Sequence, residues 1–323
     1  METLPDTLVY YPDTHPGITR HRRGRGFSYI APDGTRIDRA SERKRIEALA
    51  VPPAYEDVWI SPKTNGHLLA TGRDARDRKQ YRYHPDWTTH RAQQKYDDLA
   101  TFGRALPSVR RRVAAALNGE VGEQDFALAA LIAMIDRLSI RVGTQTYADE
   151  NGTYGATTLR TRHLYLDDND LRLVYTGKGG RKVTRHVTNR TLQRALNRLH
   201  DLPGAELVTW LDDDGTSRTV SSETVNRWIA DATGLDTATA KTFRTWNGSV
   251  AALTAARTAD RITIKTMAEA AAQRLANTAT IARNSYIHPA VIALADKPDA
   301  LPDEAPEISG LRLDERRLLA LIT

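Results

Sequence analysis

The sequence contains no cysteine. Disulfides, thiol nucleophiles and Cys-based zinc centres are thereby excluded, and a reducing compartment is the expected setting. No apolar run approaches the roughly 20 residues of a membrane-spanning helix, and the opening Met1-Glu2-Thr3-Leu4-Pro5-Asp6 lacks the apolar stretch of a signal peptide. A cytoplasmic protein without a membrane partner is expected. The histidines show no metal-ligand spacing, no Gly-x-Ser-x-Gly elbow occurs, and no repeat at solenoid periods is present. Two acidic clusters, Asp167-Asp168-Asn169-Asp170 and Asp212-Asp213-Asp214, lie between strand candidates, where Asp and Asn are ordinary turn formers. Neither fits a calcium loop, so no metal is expected. Lysine is scarce, 9 residues against 37 arginines, which makes each lysine position worth weighing.

Positive charge is abundant. The net charge is +6 and the pI is near 9.5. Residues 1–95 hold 17 Lys/Arg against 12 Asp/Glu, and residues 137–198 hold 12 against 5, whereas residues 291–323 hold 4 against 7. Two basic blocks fit a polyanionic partner better than an evenly charged surface would.

A chain of 323 residues favours two domains. Residues 1–22 carry Pro5, Pro12, Pro16 and Gly17 without a clear period and read as an irregular lead-in. Phe27–Ile30 and Thr35–Ile37 flank Ala31-Pro32-Asp33-Gly34, a turn signal. A capped helix over Ser41–Ala50 stops at Pro52-Pro53, and a second hairpin brackets Asn65-Gly66. Residues 1–88 are therefore expected to form a small, mainly β domain. Its last stretch includes Lys79-Gln80-Tyr81-Arg82-Tyr83, where cations, an amide and stacking rings alternate as a nucleic-acid surface would require. A linker or hinge is expected near Pro85 to Thr89.

Residues 89–323 read as mostly helical, and the whole as an α+β protein. Helices are expected over Ala92–Leu106, Val109–Leu117, Glu123–Val142, Leu192–Leu199, Ser222–Thr233 with Ser222 as N-cap, Phe243–Ala259 and Thr263–Leu275. Arg141 falls in the last turn of the third, where a cation would also suit the helix dipole. Thr157–Leu159 is a strand candidate. Leu171–Tyr175 and Lys182–Val187 pair as a hairpin around Thr176-Gly177-Lys178-Gly179-Gly180-Arg181, which presents Lys178 among glycines. It is not a Walker loop, since the spacing and the following Ser/Thr are missing. Pro298–Ile308 is linker-like, and Leu311–Ile322 reads as a terminal helix.

The chemically suggestive set is Tyr286, at the end of a short helical segment before Ile287-His288-Pro289, with separated cations Arg141, Lys178 and Arg244. A phenol with a reference pKa near ~10 needs help to act as a nucleophile at neutral pH. Guanidinium groups meet phosphoryl oxygens bidentately without a metal, and a lysine can protonate a leaving oxygen. The set suits transesterification at a phosphodiester, although spacing alone does not establish it.

The motifs Arg141-Val142-Gly143, Tyr147-Ala148, Asn151-Gly152-Thr153-Tyr154-Gly155-Ala156-Thr157-Thr158-Leu159-Arg160, Thr176-Gly177-Lys178-Gly179-Gly180, Lys241-Thr242-Phe243-Arg244-Thr245-Trp246, Asn277-Thr278 and Ser285-Tyr286-Ile287-His288-Pro289 together resemble the type IB DNA topoisomerases of poxviruses and bacteria. The resemblance extends over most of the chain. It implies a mainly β domain and a mostly helical catalytic domain of the tyrosine recombinase/topoisomerase IB type, closing as a monomer around double-stranded DNA. Tyr286 would form a 3′-phosphotyrosyl bond, Arg141 and Arg244 would bind the scissile phosphate, and Lys178 would protonate the 5′-oxygen. Where the viral enzymes carry a phosphate-binding histidine, this chain has Asn277, an amide that donates but carries no charge. Lys79, Gln80, Tyr81, Tyr83, Tyr147 and Arg160 would touch DNA. The implied reaction is nicking, rotation and religation without ATP, metal or cofactor, in the nucleoid-associated cytoplasm. Two alternatives stay open. A tyrosine recombinase usually has His three residues before its second Arg, where this chain has Lys241; the other alternative is a non-catalytic DNA-binding protein.

Overall fold

The structure is a computed structural model that describes residues 4–167 and 170–323. Met1 to Thr3 of the polar opening, and Asp168 and Asn169 of the first acidic cluster, lie outside the described residues. The chain divides into two compact units, residues 1–94 and 95–323.

The first unit is built on an antiparallel five-stranded sheet. Its strands are β1 (Ile18–Arg23), β2 (Gly26–Ile30), β3 (Glu56–Ile60), β4 (Leu68–Arg73) and β5 (Lys79–Tyr83), in the order β2-β1-β3-β4-β5, with α1 (Ala40–Ala48) between β2 and β3. Ile18, Tyr29, Ile46, Val58, Ile60 and Ala70 make its small core. Two expectations are corrected here. The lead-in is not irregular to residue 22, because Thr19 to Arg23 pair with β2 around Gly24, whose φ of +56° suits a residue without Cβ, and Ile18 pairs with Ile60 of β3. The strand was hidden by its basic residues, yet the Arg20 guanidinium lies 4.3 Å from the Phe27 ring centroid and donates to the carbonyls of Val51, Pro52 and Tyr55. Around the Pro-Asp-Gly turn, in contrast, only Ile30 and Arg36 bridge, so the turn is not followed by a full strand.

The expected linker at Pro85 to Thr89 is helix. It opens α2 (Pro85–Ala116), a 32-residue helix that also joins the two segments expected on either side of Pro107. A proline in a helix interior costs about 3 kcal/mol or more. The apolar stripe Leu99, Phe102, Leu106, Val109, Val113 nevertheless runs in helical register across Pro107, and all five side chains are buried, each worth about 1.5–3 kcal/mol. Burial of the stripe outweighs the lost backbone bond.

The second unit continues with α3 (Gln124–Leu138), α4 (Gln145–Asn151), the antiparallel sheet of β6 (Leu164–Asp167), β7 (Asp170–Gly177) and β8 (Arg181–His186), and α5 (Arg190–His200). The small pair β9 (Thr209–Leu211) and β10 (Ser217–Thr219) precedes α6 (Ser222–Thr233), α7 (Ala240–Thr258), α8 (Ile264–Leu275), α9 (Ala279–Tyr286), α10 (Pro289–Ala293) and α11 (Leu313–Ile322). Helix α3 is the core, with Phe126, Leu131, Ile132, Met134 and Ile135 at most 1% exposed. The N-cap of α6 is Ser221, whose hydroxyl accepts from the Thr224 N–H, and not Ser222. Thr157–Leu159 is not a strand, since Ala156–Thr158 forms a 3-10 turn. Asp212 behaves as a turn former, accepting from the Asp214 and Thr216 N–H groups and pairing with Arg218 at 2.7 Å. No helix among the described residues is long and apolar enough to cross a membrane.

Candidate active site

Arg141 lies in a loop, three residues beyond α3, and not in the helix's last turn as periodicity suggests. Ser139 takes the left-handed conformation, φ +55°, and closes the helix with its N–H on the Ile135 carbonyl. Residues 141 and 142 then find their backbone partners in another segment: Ala156 N–H donates to the Arg141 carbonyl and Thr157 N–H to that of Val142, both at 2.8 Å. The approach depends on paired glycines. A Cβ on Gly155 would sit 2.5 Å from the Gly143 nitrogen and 2.6 Å from the Arg141 carbonyl oxygen. The Asn151–Arg160 motif thus holds Arg141 in place.

Arg244, on the second turn of α7, is 3% exposed. One Nη donates to the Ser139 carbonyl, the other to that of Leu275 at 3.0 Å, and Nε makes no hydrogen bond. The guanidinium is therefore clamped between the ends of α3 and α8. Burial lowers its pKa to about 10; the Arg141 charge acts in the same direction and the Tyr286 phenol against it. It remains a cation at neutral pH.

Tyr286 is the last residue of α9, a helix started by the Thr278 hydroxyl accepting from the Ile281 N–H. The Arg244 guanidinium carbon is 5.2 Å from its ring centroid. One turn after Arg244, Gly248 makes room for this segment: a Cβ there would be 2.6 Å from the Tyr286 carbonyl oxygen. Ser249 Oγ accepts from the His288 N–H at 2.9 Å.

Asn277 follows Ala276, whose left-handed φ of +49° ends α8. Its side chain is 7% exposed, its Oδ1 accepts from Arg141 Nη2, and its buried Nδ2 has no hydrogen-bond partner. An amide donor left unpaired in a protein interior costs about 1–3 kcal/mol, so this atom is ready for an incoming acceptor.

Lys178 is exposed at the tip between β7 and β8, followed by Gly179 and Gly180 with φ of +78° and +74°. Among the described residues it makes no hydrogen bond or ion pair. The hairpin is tied down beside its turn by Arg181, which donates to the Asn277 carbonyl at 2.8 Å, and further along β8 by Arg185, which donates to that of Arg274 at 2.9 Å. The structure therefore brings Arg141, Arg244, Asn277 and Tyr286 together and leaves Lys178 on an anchored arm.

The remaining predicted contacts are surface features. In the first unit, Tyr81 and Tyr83 are 51% and 44% exposed on the edge strand β5 and stack at 5.9 Å. Lys79 pairs with Asp13 at 2.6 Å, and the Gln80 amide donates to Asp74 at 3.0 Å. In the second unit, Tyr147 is exposed on α4, and the half-buried Arg160 lies 5.8 Å from the Tyr154 ring centroid. Three residues escaped sequence reasoning: Arg181, Arg185 and Lys95. Lys95 Nζ donates to the Ser285 carbonyl and stands 5.8 Å from the Tyr286 ring centroid. The scarcity of lysine was the signal that could have drawn attention to it.

Residues 26–74 match the bacterial DNA topoisomerase IB N-terminal domain, and residues 84–285, more than half of the chain, match the eukaryotic DNA topoisomerase I catalytic core. The chain belongs to the type IB DNA topoisomerase family. It is 27% identical over 294 residues to DNA topoisomerase 1B of Acanthamoeba polyphaga mimivirus, covering 86% of this chain and 87% of that protein. It is 28% identical over 153 residues to DNA topoisomerase 1B of vaccinia virus (strain Copenhagen), covering 46% of each. The catalytic-core match ends at Ser285, one residue before Tyr286.

Proposed function

We propose that this chain relaxes supercoiled double-stranded DNA by transient single-strand cleavage, rotation and religation, with Tyr286 as nucleophile. The Tyr286 phenol gives up its proton to water as its oxygen attacks a backbone phosphorus. A P–O bond to Tyr286 forms on the 3′ side, the P–O5′ bond breaks, and Lys178 gives its proton to the leaving 5′-oxygen. The covalent bond preserves the phosphodiester energy, so the 5′-hydroxyl can reverse the step after rotation without ATP. Arg141, Arg244 and the Asn277 amide receive the charge that develops on the non-bridging oxygens. Guanidinium groups supply this stabilisation by themselves, so no cofactor or metal is assigned to the reaction.

The observation that carries this reading is the buried Arg244 beside the Tyr286 ring, with Arg141 and the unpaired Asn277 donor in the same cluster. An uncompensated cluster of cations is costly to bury, and an anionic ligand offsets that cost. The exposed Lys178 arm suits a group that meets its substrate only after the duplex is bound. We assign Lys79, Gln80, Tyr81, Tyr83, Tyr147 and Arg160 to duplex contacts, residues 1–88 and 89–323 to the two sides of a clamp, and the active species to a monomer in the nucleoid-associated cytoplasm.

The test is plasmid relaxation in EDTA without nucleotide, with wild type and Tyr286→Phe side by side. Wild type removes positive and negative supercoils and the variant removes none. A requirement for magnesium, or relaxation by the Phe variant, overturns the assignment.

A further inference from the structure

We propose that Lys95 is a positioning residue for the Tyr286 nucleophile, holding the last turn of α9 through the Ser285 carbonyl and presenting its charge to the Tyr286 ring. This inference rests on the proposed role of Tyr286 and adds to it a residue from the long helix α2.

Tyr286 is the last helical residue of α9, where carbonyl groups lose their helical partners and the chain end is free to fray. Ser285 is one of those terminal residues, and its carbonyl is taken by the Lys95 ammonium, reaching across 190 positions of sequence. The same ammonium lies 4.2 Å from the Tyr96 ring centroid and 5.8 Å from that of Tyr286, so it is seated between two aromatic faces. Tyr96 in turn meets His288 edge-on at 5.4 Å, and the His288 N–H is held by Ser249. The segment from Ser285 to His288 is thereby fixed on both sides of Tyr286: by Lys95 and Tyr96 from α2, and by Gly248 and Ser249 from α7.

The groups facing the ammonium are Tyr286 from α9, His288 at the start of α10, Lys241 from α7 and Tyr96 on its own helix. No carboxylate is bonded to Lys95 among the described residues. Burial, with the Lys241 charge adding to it, brings its pKa down to about 8. A neutral amine still donates to the Ser285 carbonyl but no longer presents a charge to the ring. The two parts of the role are therefore separable by pH and by substitution.

The experiment measures single-turnover formation of the covalent adduct on a suicide duplex, one that loses its 5′ fragment on cleavage, for wild type, Lys95→Met and Lys95→Arg between pH 6 and 9.5. Duplex affinity is measured separately with each variant in a Tyr286→Phe background, and thermal melting records folding. In Lys95→Met the cleavage rate falls by about 10- to 100-fold, as removal of a charged donor and a small misplacement of a nucleophile require. Affinity stays within about threefold, and Lys95→Arg recovers most of the rate. The wild-type pH profile bends near 8, the bend moves to higher pH in Lys95→Arg, and it is absent in Lys95→Met. A Met variant that cleaves like wild type overturns the proposal. So does one whose cleavage and affinity fall together, which would make Lys95 a DNA ligand, or one whose melting falls while Lys95→Arg gives no rescue. A wild type that forms no adduct overturns the enzymatic reading itself and this inference with it.

Discussion

Replacing Asn277 by leucine, a side chain of similar size, separates the cost of this residue to the fold from its value to the reaction. In the DNA-free chain, Asn277 Nδ2 is a buried donor without a partner, a penalty of about 1–3 kcal/mol that leucine removes. The substitution also deletes the Oδ1 acceptor of Arg141, but Arg141 is half-buried and its freed Nη2 can turn to water. The two effects nearly cancel, and the unfolding free energy should change by less than about 1 kcal/mol. Cleavage behaves differently, because one donor to a developing oxyanion is worth about 2.7–4 kcal/mol, or 100- to 1000-fold. In the proposed reaction Arg141 and Arg244 serve the same oxygens, so the lower end applies and a loss of about 100-fold is expected. Urea unfolding gives the first quantity and single-turnover adduct formation on a suicide duplex the second. Cleavage within threefold of wild type, or a stability loss above about 3 kcal/mol of the kind that breaks a satisfied buried network, would refute the reasoning. Asn277→His, whose ring ionises near ~6.5, should introduce a pH dependence of cleavage that wild type lacks at this position.

Two further outcomes follow from the scaffold. Glu315, fully buried on α11, would have its pKa raised by burial, but its bonds to Arg110 at 2.7 and 2.8 Å, with Arg312 at 2.8 Å, prevail and lower it from 4.5 to about 2. Because the folded pKa lies below the unfolded one, this stabilisation is fully present above pH 4.5 and is lost as pH falls toward 2. Glu315→Gln should cost about 3 kcal/mol at pH 7 and flatten the acid limb, as urea midpoints at pH 7 and pH 3 would record. Gly155→Ala should destabilise by about 1–3 kcal/mol through overpacking. Its Cβ would press on the Arg141 carbonyl and so reduce adduct formation as well; unchanged cleavage would mean that Arg141 is not held by this contact.

The hairpin carrying Lys178 was legible because glycines and alternating apolar residues act locally: Tyr175 pairs with Val183 and Gly177 with Arg181, as the pattern implies. Helix α3 was legible for the same reason, although its end was not. Ile140 and Val142 continue the apolar pattern past the helix end, and the pairing of 141 and 142 with 156 and 157 draws the chain out of the helix. Strand β1 was hidden because its hydrogen bonds come from β2 and β3, and basic side chains at its surface give no period. Pro107 misled for the converse reason, a strong local signal overridden by a longer buried stripe.

For the candidate site, the sequence by itself determined the residue types and their order: a tyrosine after Ser285, arginines at 141 and 244, a lysine among glycines at 178, and an amide at 277. It determined the chemistry these groups are capable of, since charge and donor capacity belong to each side chain alone. Tertiary structure decided which of them meet. Arg244 is clamped by carbonyls at the ends of α3 and α8, Asn277 is left with one buried donor unpaired, and Lys95 reaches Ser285 from a helix 190 positions away. Those facts depend on where helices end and how closely glycines let them approach, and both are set by contacts between distant segments of the chain.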